Sequence, residues 1–128
     1  MKRLAFGLLC FLSLQSPVLA QGFAPGQVWT NEKGSVLTIT AATGTSFRAT
    51  FTNPAGEFYP CNAPSPATAI ASRAIIITVN FLKCRGTAVW RGSTDQSLAI
   101  TAQYTFNYTD RNGKPQTQYG FSLFSRTR

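Results

Sequence analysis

The chain has 128 residues, the size of a single domain, with no histidine and only four carboxylates against twelve lysines and arginines. All four carboxylates lie in predicted turns and loops, so no general acid and base pair is visible and the sequence disfavours an enzyme. The formal net charge is +8, but the basic residues are scattered rather than clustered, which disfavours a specific nucleic-acid site and favours a charged, soluble surface.

The first twenty residues predict a secretory signal peptide. Residues 1–3 are a cationic start, residues 4–14 are an apolar run too short to span a bilayer, and residues 18–20 end it with a small-residue cleavage pattern. We therefore expect residues 21–128 to form one secreted or periplasmic domain with no membrane segment. Loss of Lys2 and Arg3 lowers the formal net charge from +8 to +6.

The mature chain begins with a polar hairpin, WTNEKGS, at residues 29–35. Strand alternation predicts that Trp29 and Asn31 point inward, that residues 32–34 turn the chain, and that Ser35 opens an apolar strand. Taken alone, Asn31 is better explained as a cap of this turn through a side-chain to backbone hydrogen bond. Trp29 has two open interpretations, a plug in a barrel floor or a ligand contact.

Residues 21–128 predict an all-β fold. They show no apolar pattern with a helical period and are rich in threonine, serine, valine, isoleucine and phenylalanine. Short turn signals separate successive strands, which favours an eight-stranded antiparallel up-and-down β-barrel, because closure removes exposed edges. A barrel of eight strands can hold one small ligand. The strands are predicted near residues 27–31, 35–42, 46–53, 67–73, 74–82, 86–92, 97–107 and 117–126.

Two series of alternate residues define inward faces in this prediction. Phe47, Ala49 and Phe51 lead to Asn53 along one strand, and Leu98 begins a second series that continues to Phe106.

The cysteines predict a disulfide. Cys10 is lost with the signal peptide, which leaves Cys61 and Cys84 as an even pair in an oxidising compartment. Closing the loop between them is worth roughly 3 kcal/mol in chain-entropy models. Two cysteines without a histidine do not make an ordinary zinc site, so we expect no metal.

Two later strands are apolar on both faces, residues 74–82 (AIIITVNFL) and residues 119–124 (YGFSLF). In the second strand, the alternate residues Tyr119, Phe121 and Leu123 are all apolar. Strands of this kind are usually covered on both sides. We therefore expect a second subunit on the outer face, giving a homodimer, with a tetramer as the alternative.

These motifs resemble the avidin and streptavidin family. WTNEKGSVLTI from Trp29 is similar to that family's first hairpin, whose pattern is Trp-x-Asn, a short turn, Gly-Ser and an apolar strand. ITVNF from Ile77, TAVWRG from Thr87, ITAQYTF from Ile100 and GFSLFSR from Gly120 are similar, in that order, to later strands of the family. The resemblance covers nearly all of residues 21–128 and implies an eight-stranded barrel.

The dimeric, disulfide-containing bacterial members of that family are the most similar. Cys84 and Trp90 have the spacing found there, the segment after Cys61 is similar, and Asn53 matches as well. The family resemblance implies biotin as a non-covalent ligand, held in the open end of the barrel without a cofactor.

The resemblance also implies which side chains would bind biotin. The ureido group of biotin is a compact polar unit, so a pocket must supply donors to its oxygen and acceptors for its two N–H groups. Asn31 and Ser35 match the family's donors, and Asn53 and Ser122 match the acceptors. With inward parity on separate strands, these four are better explained by one converging cluster than by four coincidences. The matching aromatic walls are Phe81, Trp90 and Tyr104.

Several departures from the family pattern predict a lower affinity than that of the tightest members. Phe51 stands where the family has a third donor, a tyrosine, and its missing hydroxyl costs about 1 to 3 kcal/mol if the ureido oxygen stays unsatisfied. Gly86 and Ala88 stand where relatives carry hydroxyls for the ligand's carboxylate. Phe81 and Tyr104 replace tryptophans.

The sequence leaves two binding functions open. The first is a protein that binds biotin or a close cyclic urea. The second is an avidin-fold module that has lost biotin and binds another small ligand or a protein. A protein partner would use the loops or the outer face, so substitutions at Asn31 and Asn53 would not affect its binding.

Overall fold

Eight antiparallel strands account for most of the chain in the computed structural model, which describes residues 22–54, 63–96 and 98–128. No helix occurs among these residues. The strands are β1 Val28–Asn31, β2 Val36–Thr43, β3 Ser46–Thr52, β4 Ser65–Ala71, β5 Ala74–Phe81, β6 Gly86–Thr94, β7 Ala99–Thr109 and β8 Pro115–Arg126.

Each strand pairs with the next one along the chain, and β8 pairs with β1, so the sheet closes into a barrel. Trp29 on β1 illustrates the closure, because it lies opposite Leu37 of β2 on one side and Arg126 of β8 on the other. The predicted eight-stranded up-and-down barrel is confirmed. In this topology the turns after β1, β3, β5 and β7 lie at one end of the barrel, which we call the open end.

The opposite end is filled by aromatic packing. Trp29 is completely buried, and its indole N–H donates to Gln27 Oε1 at 3.3 Å. The ring of Phe23 packs on Trp29 and Phe47, with centroids 5.4 Å and 4.8 Å away. Of the two interpretations of Trp29, the structure supports the floor plug. Polar ligand chemistry is thereby restricted to the open end.

Some predicted strand ends were wrong. Strand β4 begins two residues earlier than predicted, and β7 begins at Ala99 rather than at residue 97. Leu98, predicted to point inward, is 70% exposed in the turn before β7. The reason is Asp95, whose Oδ1 accepts from the backbone N–H groups of Leu98 and Ala99 at 2.8 and 3.0 Å. That turn holds Leu98 outside β7, at the point where alternation alone would continue the strand.

A β-bulge interrupts β2. Its register against β3 shifts between Ile39 and Ala41, so one extra residue lies in β2. Ile39 and Ala42, the partner of Phe47, both face the interior. They are three positions apart, whereas strict alternation separates inward residues by an even number of positions.

The outer face of β4 to β8 carries exposed apolar side chains, in agreement with the two-faced strands in the sequence. One row of outward residues crosses five strands in register: Ile70, Ile76, Arg91, Gln103 and Phe121. Tyr119, Phe121 and Leu123 on β8 are 77%, 70% and 49% exposed.

The predicted signal peptide, residues 1–20, and Cys61 lie outside the described residues, so the signal peptide and the Cys61–Cys84 disulfide stay predictions. Cys84 lies in the turn between β5 and β6 and packs against the core. The described part of the chain contains no helix long and apolar enough to cross a membrane, and no group of metal-binding side chains.

Candidate functional site

A small cavity at the open end brings together the predicted polar and aromatic residues. Its volume is about 30 Å³, close to the space of one water molecule. The side chains around it come from β1, β5, β6, β7 and β8 and from the turns that follow β1 and β3. Its lining residues are Asn31, Lys33, Ser35, Asn53, Phe81, Ala88, Trp90, Tyr104, Phe106, Gln118 and Ser122.

Asn31 holds the first hairpin turn and also faces this cavity. Its Oδ1 accepts from the backbone N–H groups of Lys33 and Ser35, at 3.1 and 2.8 Å. These two bonds use the carbonyl oxygen and leave the amide Nδ2, a donor of two hydrogens, directed away from the turn. The cap interpretation and the site interpretation of Asn31 are therefore compatible, because each uses a different end of the same amide.

Ser35 and Asn53 form the second polar element. Ser35 is buried, and its hydroxyl donates to Asn53 Oδ1 at 2.9 Å. Asn53 directly follows β3, next to the turn that carries Gly34 and Ser35. This bond joins the turn before β2 to the end of β3 at the cavity wall, and a ligand oxygen that accepts from the Ser35 hydroxyl must replace it.

Ser122 and Trp90 form the third polar element on the far side. The indole N–H of Trp90 donates to Ser122 Oγ at 3.3 Å, and both residues are buried. Ser122 faces inward on β8 between two exposed residues, as its parity predicts. Its hydroxyl keeps one acceptor site and one donor for a ligand.

The aromatic wall is held by ring packing. Trp90 contacts the rings of Phe51, Tyr104 and Phe124, with centroids 5.0, 5.8 and 6.1 Å apart. Phe51 also packs edge-on against Phe81 at 5.8 Å. Phe51 is only 1% exposed and lies behind Phe81 and Trp90 rather than at the cavity surface. Its role is to fix the wall.

Tyr104 leans across β8. A Cβ built on Gly120, its partner in register, would lie 2.6 Å from Tyr104 Cε1 and 2.7 Å from its hydroxyl oxygen. The absence of a side chain at Gly120 therefore gives the phenol ring room to lie flat. The hydroxyl reaches the turn after β1, where it accepts from Lys33 Nζ at 2.7 Å.

Four residues at the cavity were not predicted as site residues: Lys33, Ala88, Phe106 and Gln118. Phe106 and Gln118 face inward by the same alternation that identified Tyr104 and Ser122, so parity was sufficient to find them. Lys33 lies in a turn, where alternation gives no direction. Only the fold places its ammonium beside the cavity.

The described structure has larger hollows, but they lie outside the barrel. One of about 420 Å³ lies over β2 to β5, between Arg48, Ile70 and Ile76. Its walls are the outer sides of strands and carry no converging set of polar groups, which a specific small-molecule site requires. The smaller cavity at the open end is therefore the better candidate.

Comparisons with known proteins agree with this geometry. No family model matches the chain, and no curated protein matches it either. Among solved structures, the bradavidin2–biotin complex is 30% identical, with a TM-score of 0.73, over 83% of this chain and 100% of that one. Two others are similar in fold. Apo shwanavidin is 24% identical, with a TM-score of 0.66, over 84% of this chain and 98% of that one. The rhizavidin–biotin complex is 20% identical, with a TM-score of 0.68, over 84% of this chain and 97% of that one.

Proposed function

Because this chain belongs to the avidin family of binding proteins, which are not enzymes, we propose that it binds biotin non-covalently at the open end of its barrel. The bradavidin2 and rhizavidin structures to which it is similar are biotin complexes. Biotin would enter as a ligand and not as a cofactor.

The observation that carries this proposal is the convergence of uncharged polar groups beside the aromatic wall. Asn31, Ser35, Asn53 and Ser122 all line one cavity with Phe81 and Trp90. Such a mixture of aromatic surface and a few aimed polar groups is typical of a site for a small, flat, polar heterocycle. Asn31 Nδ2 and Ser35 Oγ would donate to the ureido oxygen, and Asn53 Oδ1 and Ser122 Oγ would accept from its N–H groups.

Binding would exchange one hydrogen bond rather than only add new ones. The single hydrogen of the Ser35 hydroxyl is donated to Asn53 Oδ1, so it must leave Asn53 to reach the ureido oxygen. An exchanged hydrogen bond contributes about 1 kcal/mol or less, whereas a site with unsatisfied groups would gain more from the ligand. This supports an affinity below that of the tightest members.

The size of the cavity supports the same expectation. Pockets for ligands of this size enclose roughly 300 Å³ or more, and the cavity here has about 30 Å³. Side chains must therefore move when biotin enters. Gln118 is the best placed to move, because it is held by one long bond of 3.4 Å to the Tyr108 hydroxyl.

Isothermal titration of the mature protein with biotin tests the proposal. We expect saturable heat with one site per chain, lost in the double variant Asn31→Ala with Ser35→Ala. The matched control is Asn107→Ala with Thr117→Ala, an amide and hydroxyl pair bonded at 2.7 Å on the outer surface. The control should bind as the unmodified protein does, and absence of heat at high micromolar unmodified protein would contradict the proposal.

The second candidate is an avidin-fold module that binds another ligand or a protein. The observation in its favour is the small cavity, which the chain's own rings nearly fill. It predicts no heat with biotin, and retention of partner binding when Asn31 and Asn53 are replaced by alanine.

We also propose that the mature protein is a secreted or periplasmic homodimer with a Cys61–Cys84 disulfide. The cationic and apolar amino-terminal segment supports export, and export leaves these two cysteines as a pair. Intact mass of protein recovered from outside the cytoplasm, measured before and after reduction, would test the cleavage site and the disulfide together.

A further inference from the structure

One charged side chain stands at the cavity. Among the described residues that line this cavity, Lys33 is the only charged one, and the others are neutral polar or apolar. It is carried by the turn after β1, the same turn that Asn31 fixes through its bonds to the backbone N–H groups of Lys33 and Ser35. The lysine is therefore anchored at its backbone next to the proposed ureido-binding group.

The ammonium is also fixed at its other end. Lys33 Nζ donates to the Tyr104 hydroxyl at 2.7 Å and lies 4.7 Å from the centroid of the Tyr104 ring. An ammonium has three N–H donors, and one hydroxyl uses only one of them. The remaining donors and the full positive charge are held at the rim of the cavity.

The acidic residue next to Lys33 in the chain is directed elsewhere. Glu32 precedes Lys33 in the chain, but its carboxylate accepts from the backbone N–H of Leu123 on β8, at 2.8 Å. Among the described residues, the contacts of the Lys33 ammonium are those with Tyr104.

The opposite side of the cavity gives a ligand's tail no space. A Cβ built on Gly86 would lie 2.6 Å from Phe106 Cε1, so the ring of Phe106 covers Gly86. That ring packs between Phe81 and Tyr108, with centroids 5.2 and 4.8 Å away. Among the residues that the structure describes, Lys33 and Gln118 therefore leave a polar substituent on the bound ring more room than Phe106 does.

We propose that Lys33 makes this site selective for ligands that carry a free carboxylate on a neutral ring, so that free biotin is bound in preference to biotin esters and amides. This inference rests on the proposed function. A carboxylate that leaves past the rim meets the Lys33 ammonium and forms an ion pair whose hydrogen bond has charge on both partners, whereas an ester or an amide accepts only with an uncharged oxygen and forms a weaker bond. Biotin already joined to a protein lacks this carboxylate and would be disfavoured.

The test compares biotin with biotin methyl ester by isothermal titration, on the unmodified protein and on three variants. Lys33→Met removes the charge and keeps the chain length, Lys33→Arg keeps the charge, and Lys114→Met removes the same charge from the turn before β8. We expect the unmodified protein, Lys33→Arg and Lys114→Met to bind biotin about tenfold more tightly than the ester. In Lys33→Met the two affinities should become equal, through weaker binding of biotin.

The outcomes separate this inference from the function on which it rests. Equal affinity of the unmodified protein for biotin and ester would overturn the selectivity while leaving biotin binding intact. A Lys33→Met variant that binds both ligands more tightly by the same factor would show that Lys33 only blocks the entrance, which also overturns it. No binding of either ligand by the unmodified protein would overturn the proposed function and this inference together.

Discussion

Single residues at the open end have two roles each. Asn31 supports a turn with its oxygen while its amide faces the cavity, and Ser122 accepts from Trp90 while it lines the wall. Some of the groups that would contact a ligand therefore also bond to one another. Buried polar groups without partners are costly, so these bonds stabilise the open end of the barrel.

The two tryptophans provide a direct measurement of binding. The chain has only Trp29 and Trp90, of which Trp29 lies in the barrel floor and Trp90 lines the cavity. Biotin should displace water near Trp90 and change its hydrogen bond to Ser122, and hence change its fluorescence. We expect Trp29→Phe to keep most of the fluorescence response to biotin and Trp90→Phe to lose it. A response that depends on Trp29 would place the ligand elsewhere.

The sequence predicted much of the site at this scale because side-chain direction in a strand follows from parity. Asn31, Ser35 and Ser122 line the cavity as alternation predicts. Phe51 points inward as predicted but lies behind other rings, because parity gives the face of a residue and not its depth. Lys33 was missed because its direction is set by the turn that carries it and by its bond to Tyr104, which is far from Lys33 in the sequence.

At the scale of strands, the short β1 leaves a gap in the barrel that a side chain closes. β1 ends at Asn31, which lies opposite Phe124 of β8, so the preceding residue of β8, Leu123, has no partner in β1. The Glu32 carboxylate accepts from the Leu123 N–H instead, at 2.8 Å. The closure of the barrel beside Ser122 therefore depends on one carboxylate.

Replacement of Glu32 should loosen this closure. In Glu32→Ala the Leu123 amide loses its acceptor, and we expect its hydrogen exchange to become about tenfold faster, as loss of a bond worth about 1.4 kcal/mol would give. Glu32→Gln keeps an acceptor oxygen and should retain most of the protection. Unchanged exchange at Leu123 in the alanine variant would show that the ladder is closed without Glu32.

The stability of the turn between β7 and β8 should depend on pH. Asp110 accepts from the backbone N–H groups of Lys114 and Asn112 and from the side chain of Gln116, each at 2.9 Å. The bond from the Lys114 N–H is the main reason that the pKa of Asp110 lies below its ordinary value, and the bond from Gln116 is the next. Because the folded pKa is lowered, this stabilisation is present above the ordinary pKa and is lost as the pH falls through the lowered value.

We therefore expect the Lys114 amide to lose protection against hydrogen exchange, relative to its intrinsic rate, as Asp110 becomes protonated. The Asp110→Asn variant cannot titrate, so its turn should show no such step. A step of equal size in both proteins would assign the pH dependence to another group.

The strand errors have a physical cause as well. Alternation predicted the strands and their faces because burial of one face is a strong constraint. It placed Leu98 inside because nothing in the local pattern distinguishes a strand residue from one that Asp95 holds in a turn. The bulge in β2 is likewise fixed by pairing with β3 and not by the sequence of β2 alone.

At the scale of the whole molecule, closure of the barrel does not explain the apolar outer face of β8. Tyr119, Phe121 and Leu123 project from one strand beside the row that ends in Ile76 and Ile70. Closure of the sheet satisfies its hydrogen bonds but does nothing for apolar side chains on the outside. We propose that a second copy of the chain covers this face. The row is apolar at both ends, and the polar pair Arg91 and Gln103 lies between them.

Phe121 is the best position at which to test the dimer. Its side chain is 70% exposed and lies opposite Gln103 within this face. If the face is buried between two subunits, Phe121→Glu would place a carboxylate in an apolar interface and cost several kcal/mol, enough to give monomers at micromolar concentration. Sedimentation velocity should show a dimer for the unmodified protein and a monomer for the variant. The control Thr50→Glu adds the same charge on the outer side of β3 and should remain dimeric. Unmodified protein that sediments as a monomer would contradict the proposed interface, and a Phe121→Glu variant that stays dimeric would move the interface to another face of the barrel.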